Sequence, residues 1–190
     1  MIETSGLTSG MQLVNDAEGA ARVSETQLVS KYSDSVYRFC LSLVFRREDA
    51  DDLFQDTYLK AFTKIDKIAE SDNPQGFLMS IAASLWKSRK RKYARRNRIA
   101  PEVVLDDVQD VGEDGMEDRF LADEERFAVR KLVDALPDKL KIPVVMYYTA
   151  EMSVSDIAKA LKLPLGTVKS HLHRAREIIR KGLISEYGYE

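Results

Sequence analysis

The chain has 190 residues, with 29 Lys and Arg against 31 Asp and Glu, 44% hydrophobic residues and 8% aromatics. That length suits one domain or two small ones with modest cores. Five Pro and nine Gly exclude collagen-like and low-complexity chains, and no apolar run approaches the ~18 residues of a membrane span.

A single cysteine, Cys40, excludes an internal disulfide framework and a Cys-rich zinc site. With only His171 and His173 besides, the expectation is no metal and no cofactor. The first 21 residues carry no Lys, no Arg and no long apolar run, so no secretory signal is expected and a reducing, cytoplasmic setting follows.

Charge is unevenly spread. Residues 1–25 sum to −3, 26–100 to +6, 101–125 to −10 and 126–190 to +5. Two basic blocks point to polyanion partners, and a dense acidic run repels itself and stays extended. A solvated linker between two domains explains the acidic run equally well.

In chain order, residues 1–24 read as a mobile tail, rich in Gly, Ser and Thr. Leu28, Tyr32, Val36, Phe39, Cys40 and Leu43 recur at helical steps. A second helix fits 48–65, with Ala50, Leu53, Phe54, Ala61, Phe62 and Ile65 inward. Asp51, Asp52, Gln55 and Asp56 gather near its N-terminus, where the helix dipole favours acids. Asn73-Pro74 reads as N-cap and first turn of a third helix, with Phe77, Leu78, Ile81, Ala82 and Leu85 on one face. Its continuation, Trp86 to Arg98, holds eight bases and no acid. A helix basic on every side resists burial and favours phosphate, and Trp86 and Tyr93 within it suit stacking on unpaired bases.

Beyond the acidic run, Phe127, Leu132, Val133 and Leu136 mark a helix that stops at Pro137. A short apolar helix follows over Lys139 to Tyr148. Ser153 to Leu161 is a short capped helix, Lys162-Leu163-Pro164 a turn, and Leu165-Gly166-Thr167 opens a helix through Lys181. Ile157, Ala158 and Leu161 pack inward from the first, and Val168, Leu172, Ala175 and Ile179 from the second. This is the spacing of a helix-turn-helix. Lys169, His173, Arg176 and Arg180 face outward, with Ser170, Arg174 and Lys181 alongside and only one acid, Glu177. Such a face suits a major groove, and Thr167 with the first-turn amides suits a phosphate.

The expected fold is all-α: two small helical domains joined by an acidic flexible linker. The boundaries are a tail over 1–24, a first domain over 25–100, the linker over 101–124 and a second domain over 125–190.

Three stretches together resemble the bacterial RNA polymerase sigma factors of the extracytoplasmic-function (ECF) subfamily. REDADDLFQDTYLKAF (47–62) resembles the region-two helix that docks on polymerase. NPQGFLMSIAASLWKSRKRKYARR (73–96) resembles the part that melts and reads the −10 promoter element. LPDKLKIPVVMYYTAEMSVSDIAKALKLPLGTVKSHLHRAREIIRKGL (136–183) resembles region four, the −35 reader. The resemblance spans about 26–185.

It implies roles by position. Asp52, Leu53, Gln55 and Asp56 would contact the β′ clamp helices of core RNA polymerase, with region four on the β flap. Asn73, Ser84, Trp86, Lys87, Arg89, Lys90 and Arg91 would handle the −10 strand, gripped by the loop from Ser71 to Gly76. Thr167, Lys169, Ser170, His173, Arg174 and Arg176 would hold the −35 duplex of promoter DNA, Arg174 bidentate on guanine. The acidic run would pass through the polymerase toward the RNA exit path. An anti-sigma factor, often membrane-anchored in this family, would be the inhibitory partner, with no membrane insertion by this chain.

The chain departs from the family where Ser84 replaces a frequent Asn, Ser88 a frequent Asp, and Glu151 a common Gly. Two other readings compete. A stand-alone dimeric helix-turn-helix regulator leaves 47–62 and the basic helix idle. An enzyme lacks a phosphate-binding Gly loop, a metal cluster or a Ser/His/Asp arrangement, and Cys40 on an apolar face suits the core.

Overall fold

The computed structural model describes residues 24–99 and 117–188, with side chains over 24–96 and 124–188. Most of the expected tail and the linker as far as 116 therefore lie outside the described residues. Eight helices follow in order among them: α1 (Glu25–Leu43), α2 (Arg47–Phe62), α3 (Ile65–Ala69), α4 (Pro74–Ile99), α5 (Glu117–Ala135), α6 (Asp138–Tyr148), α7 (Val154–Leu161) and α8 (Leu165–Tyr187). The all-α expectation is met.

A capping box starts α1. The Gln27 amide donates to Ser24 Oγ at 3.2 Å and the Ser24 amide to Gln27 Oε1 at 3.0 Å. Its inward stripe is Leu28, Val36, Phe39, Cys40 and Leu43, the recurrence read from sequence. In α2 the stripe is Ala50, Leu53, Thr57, Tyr58 and Ala61. This helix ends three residues earlier than expected. The Lys64 amide donates to the Ala61 carbonyl at 2.8 Å, which tightens the last turn. Ile65 then opens the short α3, whose Ile68 is fully buried.

Asn73 caps α4 as expected. Its Oδ1 accepts from the Gly76 amide at 2.8 Å, and Pro74 takes the first helical position, where a missing N–H costs nothing. A Cβ at Gly76 would stand 2.5 Å from Asn73 Nδ2, so a side chain there would push the capping amide aside. Leu78, Met79, Ile81, Ala82, Ala83 and Trp86 are buried, whereas Lys87, Ser88 and positions 90–96 are exposed.

α5 begins at Glu117, inside the stretch expected to be linker. Acids at a helix start interact favourably with its dipole, so a dense acidic run and a helical first turn are compatible. Phe127, expected to mark the inward face of α5, is 56% exposed, and Ala128, Leu132 and Leu136 carry the burial instead.

α6 is buried all round: every residue from Leu140 to Met146 is inaccessible, Lys141 included. A helix apolar on every side belongs in the middle of a structure. α8 packs against α5, α6 and α7 on one flank, while α1 and α4 reach α6 on another. One apolar cluster therefore runs through both halves of the molecule, from Leu28 and Leu78 to Val168 and Ala175.

The helix-turn-helix is α7 and α8. Ser153 Oγ accepts from the Asp156 amide at 3.1 Å as N-cap. Lys162 ends α7 in the left-handed region, φ 54°, its amide directed at the Ala158 and Lys159 carbonyls.

Candidate nucleic-acid interface

α8 presents its outward face as the periodicity predicts. Val168, Leu172 and Ala175 are buried, and this fixes the helix's rotation. Lys169, Ser170, His173, Arg174, Arg176 and Arg180 are all exposed opposite them. Arg180 pairs with Glu177 at 3.2 Å, and that guanidinium holds the Glu177 carboxyl below its usual range. Arg176 folds back, its Nε donating to the Leu172 carbonyl at 3.3 Å.

The Thr167 amide is not free. It donates to the Pro164 carbonyl at 2.9 Å, and the Val168 amide donates to the same oxygen at 3.2 Å. A phosphate at this terminus would meet the amides of Leu165 and Gly166 instead.

On α4 the seven −10 candidates do not form one face. Ser84, Lys87 and Arg91 are exposed. Asn73 Nδ2 donates to the Asp156 carbonyl at 3.3 Å, across to α7. Lys90 Nζ pairs with Asp138 of α6 at 2.5 Å. Arg89 turns to α2, where it meets Asp56 Oδ2 at 2.6 Å and the Asp52 carbonyl at 3.0 Å. Trp86 is only 8% exposed, with the ammoniums of Lys90 and Lys141 each 5.2 Å from its ring centre.

On α2, Asp52, Gln55 and Asp56 are exposed, but Leu53 is fully buried. Beside them lies a groove of about 370 Å³ lined by Ser33, Asp34, Tyr37, Asp51, Phe54 and Gln55. Tyr37 donates its hydroxyl to Asp51 at 2.7 Å, and that carboxylate holds the phenol above its ordinary range. Phe54 stacks edge-on against Tyr37, ring centres 5.5 Å apart. The acidic patch therefore stands on a rigid aromatic base.

The family model for sigma-70 region 2 matches residues 28–96, and the model for sigma-70 region 4 matches 126–179. The ECF RNA polymerase sigma factor SigW of Bacillus subtilis is 30% identical over 162 residues, which cover 82% of this chain and 87% of that one. The chain belongs to the ECF family of RNA polymerase sigma factors. SigE of Mycolicibacterium smegmatis, another ECF sigma factor, is 32% identical over 171 residues, covering 88% of this chain and 65% of the relative. Among solved structures, the sigma factor RpoE with the anti-sigma factor NepR from Bartonella quintana has the same fold. Its TM-score is 0.69 at 23% identity, covering 85% of this chain and 97% of that one. CnrH in complex with the cytosolic domain of CnrY is similar at TM-score 0.61 and 20% identity, covering 88% of this chain and 92% of that one.

In this sigma factor, region 2 comprises α1 to α4 and region 4 runs from α5 into α8. Two site expectations, Leu53 and Trp86, need correction. Leu53 lies in the region 2 core, so it supports the α2 patch from beneath and cannot touch a partner. Trp86 is covered by region 4, so no base can stack on it in this arrangement. Arg89 is engaged with the α2 acidic patch and not aligned with Lys87 and Arg91. Spacing places Leu53 inward, and only the resemblance gives it a partner; for Trp86, the letter in a helix does not say which neighbouring helix its side chain meets.

Sequence reasoning also missed a cleft of about 400 Å³ between the regions, lined by Lys60, Lys64, Ser84, Lys159 and Lys162 with Asn73 at its edge. Its lysines come from α2, the turn after it, α7 and the turn of the helix-turn-helix. No local signal brings them together.

Proposed function

We propose that this ECF sigma factor docks on core RNA polymerase through Asp52, Gln55 and Asp56, opposite the β′ clamp helices, with region 4 on the β flap. α4 then takes the −10 strand with Asn73, Ser84, Lys87 and Arg91. α8 reads the −35 duplex with Lys169, Ser170, His173 and Arg174, while Thr167 and Arg176 lie where they favour phosphate. The observation that carries this reading is α8: bases occupy its outward face, buried apolar residues fix its rotation, and a tight turn sets it against α7. Direct readout of base edges needs a rigid helix so presented.

The protein catalyses no bond change; its work is binding and strand separation, and its place is the cytoplasm. Cys40, buried with its thiol pushed up to about 12, is no nucleophile. Among the described residues no helix is long and apolar enough to cross a membrane. An anti-sigma factor is the regulatory partner. That reading is supported by the similar fold of RpoE, which was solved bound to the anti-sigma factor NepR.

In vitro transcription with purified core polymerase over a promoter library tests the proposal. The expected result is a set of start sites that depend on this chain and share −10 and −35 elements. Failure to direct any start site, with unaided binding to operators as a dimer, would establish a stand-alone regulator instead.

A further inference from the structure

Asp52 and Asp56 of α2 stand four residues apart, so their side chains share one face of the helix. Arg89 of α4 reaches across to that face. Its Nη2 donates to Asp56 Oδ2 at 2.6 Å and to the Asp52 carbonyl at 3.0 Å, and its Nη1 reaches the Asp49 carbonyl at 3.5 Å. A planar guanidinium can serve several acceptors at once, and each carbonyl oxygen has a second lone pair beyond its helix bond. One side chain therefore ties the −10 helix to the acidic patch. The Arg89 and Asp56 side chains are 38% and 51% exposed, so their ion pair adds little to folding stability. Its consequence lies in where it holds the carboxylate.

We infer that Arg89 belongs to the polymerase-docking patch, as the residue that positions Asp56, and not to the −10 surface. This rests on the proposed docking role of α2.

Helix geometry separates Arg89 from the strand-binding side of α4. Lys87 and Arg91 are exposed neighbours on one side, and Arg89, at roughly 100° per residue, points about 160° away from both. A strand laid along Lys87 and Arg91 does not reach a guanidinium on the far side.

Two effects of Arg89 on docking oppose each other. It cancels one negative charge of a patch that faces a basic partner. It also fixes an exposed carboxylate that otherwise rotates freely, with Oδ1 left to accept from the partner. Ordering a side chain before association removes that cost from binding. Salt screens a single exposed charge, whereas it leaves a fixed geometry in place. Positioning is therefore the larger effect, and removal of Arg89 weakens docking.

The test uses the full chain, labelled with a fluorophore at its N-terminus and titrated with purified core polymerase. Arg89→Met should weaken assembly about threefold or more, the cost of one side chain left unordered. Arg89→Lys, which keeps the charge and loses the fork, should fall between the two. In an Asp56→Ala background, Arg89→Met should cause little further loss, because the carboxylate it positions is gone. At saturating core polymerase, a fluorescent mixed-sequence single strand of about 12 nucleotides measures strand binding. Arg89→Met should leave that affinity unchanged, whereas Lys87→Met should lower it and spare assembly.

Unchanged or tighter assembly with Arg89→Met overturns the inference. So does an equal loss in both backgrounds, which would mark a general weakening of region 2. A fall in strand affinity with assembly intact would return Arg89 to the DNA surface. If Asp52→Ala, Gln55→Ala and Asp56→Ala all leave assembly unchanged, the docking reading itself has failed and the role of Arg89 falls with it.

Discussion

The ammonium of Lys141 lies 5.2 Å from the centre of the Trp86 ring, so a lysine of region 4 closes over the most basic helix's only tryptophan. Two groups that composition alone assigns to solvent and to nucleic acid are together inside the protein. Lys141 survives there because Asp134, itself 8% exposed at its side chain, supplies the counter-charge.

Breaking that pair should be costly. Lys141→Met leaves the Asp134 carboxylate buried with only Arg130, at 3.9 Å, for a partner. Stability should fall by about 3 kcal/mol. Lys141→Met with Asp134→Leu should recover most of the loss, because no uncompensated charge remains. Urea unfolding of both variants measures the difference.

Glu151 stands at φ 52° in the turn between α6 and α7, the left-handed region that favours Gly. A side chain there is strained by roughly 1 kcal/mol, and glycine removes the strain at a smaller entropic cost. Glu151→Gly should therefore raise stability by about 0.5 kcal/mol. A lower thermal midpoint than the parent would contradict it.

Arg174→Ala should relax selection at one −35 position, at a cost of roughly 1–3 kcal/mol, if its guanidinium is bidentate on guanine. Binding to a randomised duplex library reads this directly. A uniform loss across all sequences would make Arg174 a phosphate contact.

Burial pushes both the Cys40 thiol and the Tyr58 phenol up to about 12, from ordinary values of 9.0 and 10.0. Both groups stay neutral in the folded chain while the unfolded chain ionises. Their contribution is complete below about pH 9 and is lost as the pH rises toward 12. The denaturation midpoint should fall across pH 9 to 11, and a thiol reagent at pH 8 should label the unfolded chain far faster than the folded one.

Where structure is local, it was legible. Ser153 as N-cap, Asn73 before Pro74, and the inward set Ile157, Ala158, Val168, Leu172 and Ala175 each follow from spacing and capping chemistry within a few residues. The α8 outward face was readable because fixing the buried stripe also fixes its opposite. Trp86 and Phe127 were misread because each depends on the neighbour across the packing, and one-dimensional periodicity is silent about which helix that will be. α6 carried a signal that went unused. A helix apolar on every side needs cover on every side, and region 4 alone does not supply it.

Residue order by itself determined the helices, the helix-turn-helix and the two cationic regions, since these rest on short-range periodicity and caps. Only the tertiary structure decided that the regions lie against each other. That outcome depends on Lys141, Arg130 and Lys90 finding partners 98, 89 and 48 positions away in the chain. Such pairings form only after the helices have packed, and no local preference encodes them.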